Sequence, residues 1–255
     1  FTQLKTLQIM KTKFMSLSAF LFIGIIAFSQ APVIQKEKSY GGKQEDVGYT
    51  IRQTKDKGFI IGATTSSKSA PGYHDLTDYM LMKMDKGGNL VWQKAFGGSG
   101  TDVLTDVRQT KDKGYIMVGY SNSADGDVTN VHSSTDVWVV KTDIDGNIQW
   151  QKCFGGTATD MGASVSVTDD DDIVVCASAS STDGDVTNNK GGSDVWLLNL
   201  NRKGKLQFQK TYGGSGNDYG KSAVLHADGT MVIAASVESS NGDITGAHGA
   251  SDTWV

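Results

Sequence analysis

The 255 residues include 38% hydrophobic and 9% aromatic side chains, enough to fill a buried core. With 31 glycines and only 2 prolines, the chain suits short strands joined by tight turns and not a disordered linker. A formal charge of −4, with no basic patch, excludes the electrostatic footprint of a nucleic-acid binder.

Residues 1–9 read as sequence upstream of a start at Met10. Lys11 and Lys13 then precede an apolar run from Phe14 to Phe28, closed by Ser29 and Gln30. That is the layout of a secretory signal peptide over residues 10–30. The run falls short of the roughly 20 apolar residues of a membrane span. The mature chain, residues 31–255, is therefore expected to lack a transmembrane span. It is expected to act outside the cell or at the outer-membrane surface.

The rest repeats itself. "DYMLMKMDKGGNLVWQKAFGG" starts at Asp78, "DVWVVKTDIDGNIQWQKCFGG" at Asp136 and "DVWLLNLNRKGKLQFQKTYGG" at Asp194, 58 residues apart each time. A fourth copy opens at Ser251 as "SDTWV". The loop before Asp78 is two residues shorter than its counterparts. Each unit predicts four strands. The first is typified by Asp102–Thr110 and the second by Tyr115–Ser121. The third is "DVWVVKT" and the fourth "IQWQKCF". The runs are about 5–7 residues long, rich in Val, Ile, Tyr and Trp, and split by Gly, Asp and Asn turns. No sustained helical periodicity follows the leader.

Four strands per unit at this period predict an all-β fold, a β-propeller of four-stranded antiparallel blades. A β-solenoid is the weaker alternative, since its coils are shorter. The expected divisions are a lone outer strand at 31–42, blades at 43–98, 99–156 and 157–214, and an incomplete fourth blade at 215–255. Trp138, Trp196 and Trp254, with Met80 in the first copy, recur in the third strand; Trp92, Trp150 and Phe208 recur in the fourth. These large side chains are expected to fill the space between blades. Cys153 and Cys176 fall at ordinary strand positions and are expected to be unpaired, although export would permit a disulfide.

The combination W-Q-K-x-[FY]-G-G-[ST]-x-x-D, then D-G-D-[VI]-T, then S-D-x-W resembles tandem repeats of exported proteins of flavobacteria and related Bacteroidota. Those repeats are similar to the wider propeller group that includes quinoprotein-like domains. The resemblance covers about residues 38–255 and implies architecture, not activity. Proteins of that kind often end in a type IX secretion sorting domain. None is found here, and the chain stops inside a strand, so it is read as a fragment of a larger ring.

The heptads "YGGKQED", "FGGSGTD", "FGGTATD" and "YGGSGND" begin at Tyr40, Phe96, Phe154 and Tyr212. A phosphate cradle would open a helix. Each heptad instead leaves one strand and enters another, so its glycines are expected to supply positive φ and its aspartate (Asp46, Asp102, Asp160, Asp218) to hold the turn. The meander puts each heptad beside a loop between second and third strands. Those loops carry Asp125, Asp127 and Asp136, then Asp183, Asp185 and Asp194, then Asn241, Asp243 and Asp252. One reading of these residues is a calcium-binding face, since Ca²⁺ takes six to eight oxygens. The other is turn formation through side-chain-to-backbone hydrogen bonds. His74, His132, His226 and His248 are read as surface residues with no common register. No nucleophile elbow, zinc-protease or P-loop pattern is present. The expectation is a binding, adhesion or display module with a glycan or protein ligand, not an enzyme. The alternative is part of a secreted polysaccharide hydrolase.

Overall fold

The computed structural model describes residues 37–132, 134–226 and 228–255. The expected signal peptide lies outside these residues, as does the first half of the expected lone outer strand. Its second half, residues 37–42, joins no sheet. Tyr40 instead packs its ring on the first sheet, and Gly42 N donates to Asp46 Oδ2 at 2.8 Å and to Ser67 Oγ at 3.2 Å. These contacts fix the segment beside the first sheet, and they explain the departure from a fourth-strand role.

All regular elements of the described residues are strands. The first sheet holds β1 (Asp46–Gln53), β2 (Phe59–Thr65), β3 (Asp78–Met84) and β4 (Leu90–Phe96). The second holds β5 (Asp102–Gln109), β6 (Tyr115–Ser121), β7 (Asp136–Thr142) and β8 (Ile148–Phe154). The third holds β9 (Asp160–Val167), β10 (Ile173–Ala179), β11 (Asp194–Leu200) and β12 (Leu206–Tyr212). The fourth holds β13 (Asp218–Leu225), β14 (Met231–Val237) and the short β15 (Asp252–Trp254). Each sheet is an antiparallel meander in chain order. The first strand of each carries a bulge, as between Leu104 and Asp106, which locally increases twist.

Consecutive sheets pack face to face: β2 on β5, β6 on β9 and β10 on β13. The first strands also touch in succession, β1 to β5, β5 to β9 and β9 to β13. The third strands β3, β7 and β11 are buried along their whole length, being both central in their sheets and covered by neighbours. Burying strands on both faces gives their near-continuous apolar run. Trp138 and Trp196 are fully buried in the clusters that join sheets. Tyr79 packs its ring tilted against Trp138 with ring centroids 4.5 Å apart, and its hydroxyl donates to Trp138 O at 3.0 Å.

The fourth-strand rings reach across to the next hairpin. Trp92 lies over Gly146, and Trp150 over Gly204, where any Cβ would come within about 3 Å of the indole. Phe208, in the equivalent place on β12, is 45% exposed. The motif W-Q-K gains a reason as well. Trp138 Nε1 donates to Gln151 Oε1 at 2.8 Å, and Gln151 Nε2 donates to Thr129 Oγ1 of the D-G-D-V-T loop. Trp196, Gln209 and Thr187 repeat the chain of contacts. Cys153 and Cys176 are free and buried, and burial pushes both thiols up to about 12. Among the described residues no helix is long and apolar enough to cross a membrane.

Candidate functional site

The aspartates that close the second, third and fourth heptads, Asp102, Asp160 and Asp218, are fully buried and multiply hydrogen-bonded. Asp160 is fully buried and accepts Ser180 N at 3.0 Å, Ser181 N at 3.2 Å, Ser181 Oγ at 2.6 Å and Gly156 N at 3.0 Å. Asp218 accepts the equivalent four donors, from Glu238 N, Ser239 N, Ser239 Oγ and Gly214 N. Asp102 is bonded by Ser121 Oγ, Ser123 Oγ and Gly98 N. A buried carboxylate is tolerated when donors surround it. These residues tie the start of the first strand to the end of the second, so the turn-holding role expected for them is what the geometry shows.

The heptad glycines act differently from expectation. Of the heptad glycines, only Gly41 has φ in the positive region, at 147°. What the others provide is space. A Cβ on Gly97 would sit 2.5 Å from both Asp78 Oδ1 and Asp102 Oδ2, and one on Gly155 would sit 2.6 Å from Asp136 Oδ1 and 2.7 Å from Asp160 Oδ2. Positive φ belongs instead to the glycine of D-G-D: 62° at Gly126, 63° at Gly184 and 69° at Gly242.

The D-G-D aspartates hold the heptad backbone. Asp125 Oδ1 accepts Ser99 N at 2.6 Å, Asp183 Oδ1 accepts Thr157 N at 2.8 Å, and Asn241 Oδ1 accepts Ser215 N at 2.8 Å. These backbone bonds hold the Asp125 and Asp183 carboxyls below the usual carboxylate range. One turn further, Gly97, Gly155 and Gly213 each donate N–H to Asp127, Asp185 and Asp243 at 3.2–3.3 Å and accept back from their N–H. Lys190 Nζ pairs with Asp243.

Asp136 and Asp194 are fully buried, while Asp252 is only partly so. Each accepts through Oδ2 from the N–H four residues earlier: His132 at 2.9 Å, Lys190 at 2.9 Å and His248 at 2.6 Å. His74 N does the same for Asp78 at 2.7 Å. The expectation that the histidines share no register is therefore corrected. His74, His132 and His248 occupy one register, with Lys190 filling it in the third unit, because a single backbone turn recurs before each third strand. The rings of His74 and His132 also reach their aspartates, at 3.4 and 2.7 Å, and the bond to Asp136 raises His132 above the ordinary histidine range. His132 Nε2 lies 3.9 Å from Asp185 Oδ2.

Of the candidate calcium residues, Asp125, Asp127, Asp183, Asp185 and Asp243 are thus engaged with backbone N–H groups around the heptads. Asp136, Asp194 and Asp252 stand at the roots of the third strands. Among the described residues no group of three or more His, Cys, Asp or Glu side chains is arranged to hold a metal ion.

A groove of about 490 Å³ lies where the first strands of the second, third and fourth sheets come together. Tyr120, Thr159, Met161, Ser180, Tyr219 and Lys221 are among its walls. Met161 is 43% and Tyr219 37% exposed, and Lys221 Nζ sits 5.6 Å from the Tyr219 ring centre. The sequence reading missed these residues. Their signal was an apolar or aromatic side chain at the second position of the first strand, where β5 has Val103, β9 has Met161 and β13 has Tyr219. No protein-family model matches this sequence, and no curated protein does.

Proposed function

We propose that this chain is an exported, surface-acting β-propeller module that binds a ligand, glycan or protein, and performs no chemistry on it. Support for the propeller comes from sheets that succeed one another face to face and draw together along their first strands. The observation that carries the binding role is the groove between the second, third and fourth sheets. It joins two tyrosine rings, a methionine, hydroxyls and one lysine in a concave space of ligand size. Tyrosine offers a rigid apolar body with a polar tip, the combination favoured in recognition surfaces.

The test is a panel of cell-surface oligosaccharides and extracellular proteins titrated against the full chain and against Tyr219→Ala. The reading expects a saturable ligand whose affinity falls at least tenfold in the variant, with the ligand recovered intact. Binding unaffected by Tyr219→Ala would move the site elsewhere. Cleavage of a bound polysaccharide would favour the hydrolase reading.

A further inference from the structure

The first and second sheets meet at a pair of buried acids, Asp78 at the start of β3 and Asp102 at the start of β5. Asp78 and Asp102 both have no exposed surface. Asp102 accepts hydrogen bonds at both oxygens, from Ser121 Oγ at Oδ1 and from Ser123 Oγ and Gly98 N at Oδ2. Asp78 accepts at Oδ2 from His74 N. Its other oxygen, Oδ1, is buried without any hydrogen-bond partner. That oxygen faces Asp102. Both Asp78 Oδ1 and Asp102 Oδ2 lie 2.5 Å from the point where a Cβ on Gly97 would be, hence within twice that distance of each other.

Two facing acceptors with no donor between them are an unstable arrangement in a dry site. The groups around the pair do not resolve it. From its own loop, the His74 ring lies 3.4 Å from Asp78 Oδ2, on the far oxygen, and is one-third exposed. From the second unit come Asp127, which accepts Gly97 N, and the Cys153 thiol; Tyr79, on β3, is neutral and spends its hydroxyl on Trp138 O. A calcium ion would need six to eight oxygens, whereas Asp102 has both oxygens already engaged. A proton needs one acceptor and no void.

We propose that Asp78 and Asp102 share one proton, Asp78 Oδ1–H donating to Asp102 Oδ2, and that this bond joins the first sheet to the second. Like-charged carboxylates at one site cannot both ionise at low cost. In agreement, burial first and the Asp102 charge next push the Asp78 carboxyl up to about 6, and burial raises Asp102 as well. The sign follows. The folded chain keeps a proton that an unfolded aspartate, near 3.9, has lost. The stabilisation is therefore complete below about 3.9, falls as pH rises from there, and is gone once pH has passed through about 6.

The test compares the wild-type full chain with Asp78→Asn. The asparagine carbonyl still accepts His74 N, and its amide replaces the shared proton as donor to Asp102. Urea unfolding from about pH 3 to about pH 8 should show the wild-type folding constant falling, relative to Asp78→Asn, by close to tenfold per pH unit between about 4 and about 6 and levelling off above that. Parallel pH curves would overturn the proposal. So would millimolar calcium that stabilises wild type and not the variant, since the pair would then hold a cation. Should the variant not fold, carboxyl-carbon NMR of the wild type decides. An aspartate still protonated near pH 5 and titrating near 6 supports the shared proton, and aspartates all ionised at pH 5 overturn it.

Discussion

Val174 in β10 and Val232 in β14 stand at the same register of the same strand in successive units. Val174 is 1% exposed and Val232 44%. Trp196 in β11 is fully buried, while Trp254 in β15 is partly exposed, its ring centre 6.1 Å from that of Tyr212. Local sequence is alike in the two units but pairing is not: Val174 is paired with Asn199 of β11, whereas β15 pairs with β14 only over Asp252–Trp254 and leaves Val232 without a partner on that side. Cover differs as well: the third sheet packs on the second through β6 and β9 and on the fourth through β10 and β13. Apolar burial in the third sheet thus draws both on the strands beside each residue and on the sheets packed against its faces, as in arrays whose stability includes nearest-neighbour terms.

The strongest way to break that comparison is through the tryptophans. Trp196→Ala should cost about 4 kcal/mol, because it opens a cavity in a two-sided core and strands Gln209. Trp254→Ala should cost about 1 kcal/mol. Equal losses in denaturant unfolding would mean that the fourth sheet is covered in solution.

A second contrast sharpens it within one sheet. Asp160→Ala removes the acceptor of four buried or half-buried donors and should cost on the order of 3 kcal/mol. Asp183→Ala frees only the exposed backbone and hydroxyl of Thr157 and should cost much less. The ranking is checked by thermal unfolding at neutral pH. A reversal would transfer the structural role from the buried aspartate to the loop.

Much of this was legible in the sequence for a definite reason. Strand signals are weak singly, but a 58-residue register superposes several copies of each. The strands β6, β7 and β8 begin and end where the repeat placed them, at Tyr115–Ser121, Asp136–Thr142 and Ile148–Phe154. The roles of Trp138 and Trp196 follow from the same superposition. Burial of acids was not legible. Asp136 and Asp194 read as members of a calcium face or as turn formers, and Asp78 only as the start of a repeat, yet all three are fully buried. The heptad glycines misled in a related way, since close approach of a carboxylate and positive φ call for the same residue. The groove residues escaped because they come from three sheets: Met161 and Tyr219 share one repeat register, but Tyr120 stands in another strand and only the packing of the sheets brings it to them.

The central claim is that each sheet is completed by its neighbours. Native-state hydrogen exchange, resolved by residue, tests it most directly. Amides of β10 and β11 should exchange only through global unfolding, while those of β14 and β15 should exchange through local opening at markedly lower free energy. Equal protection of the third and fourth sheets would contradict the account.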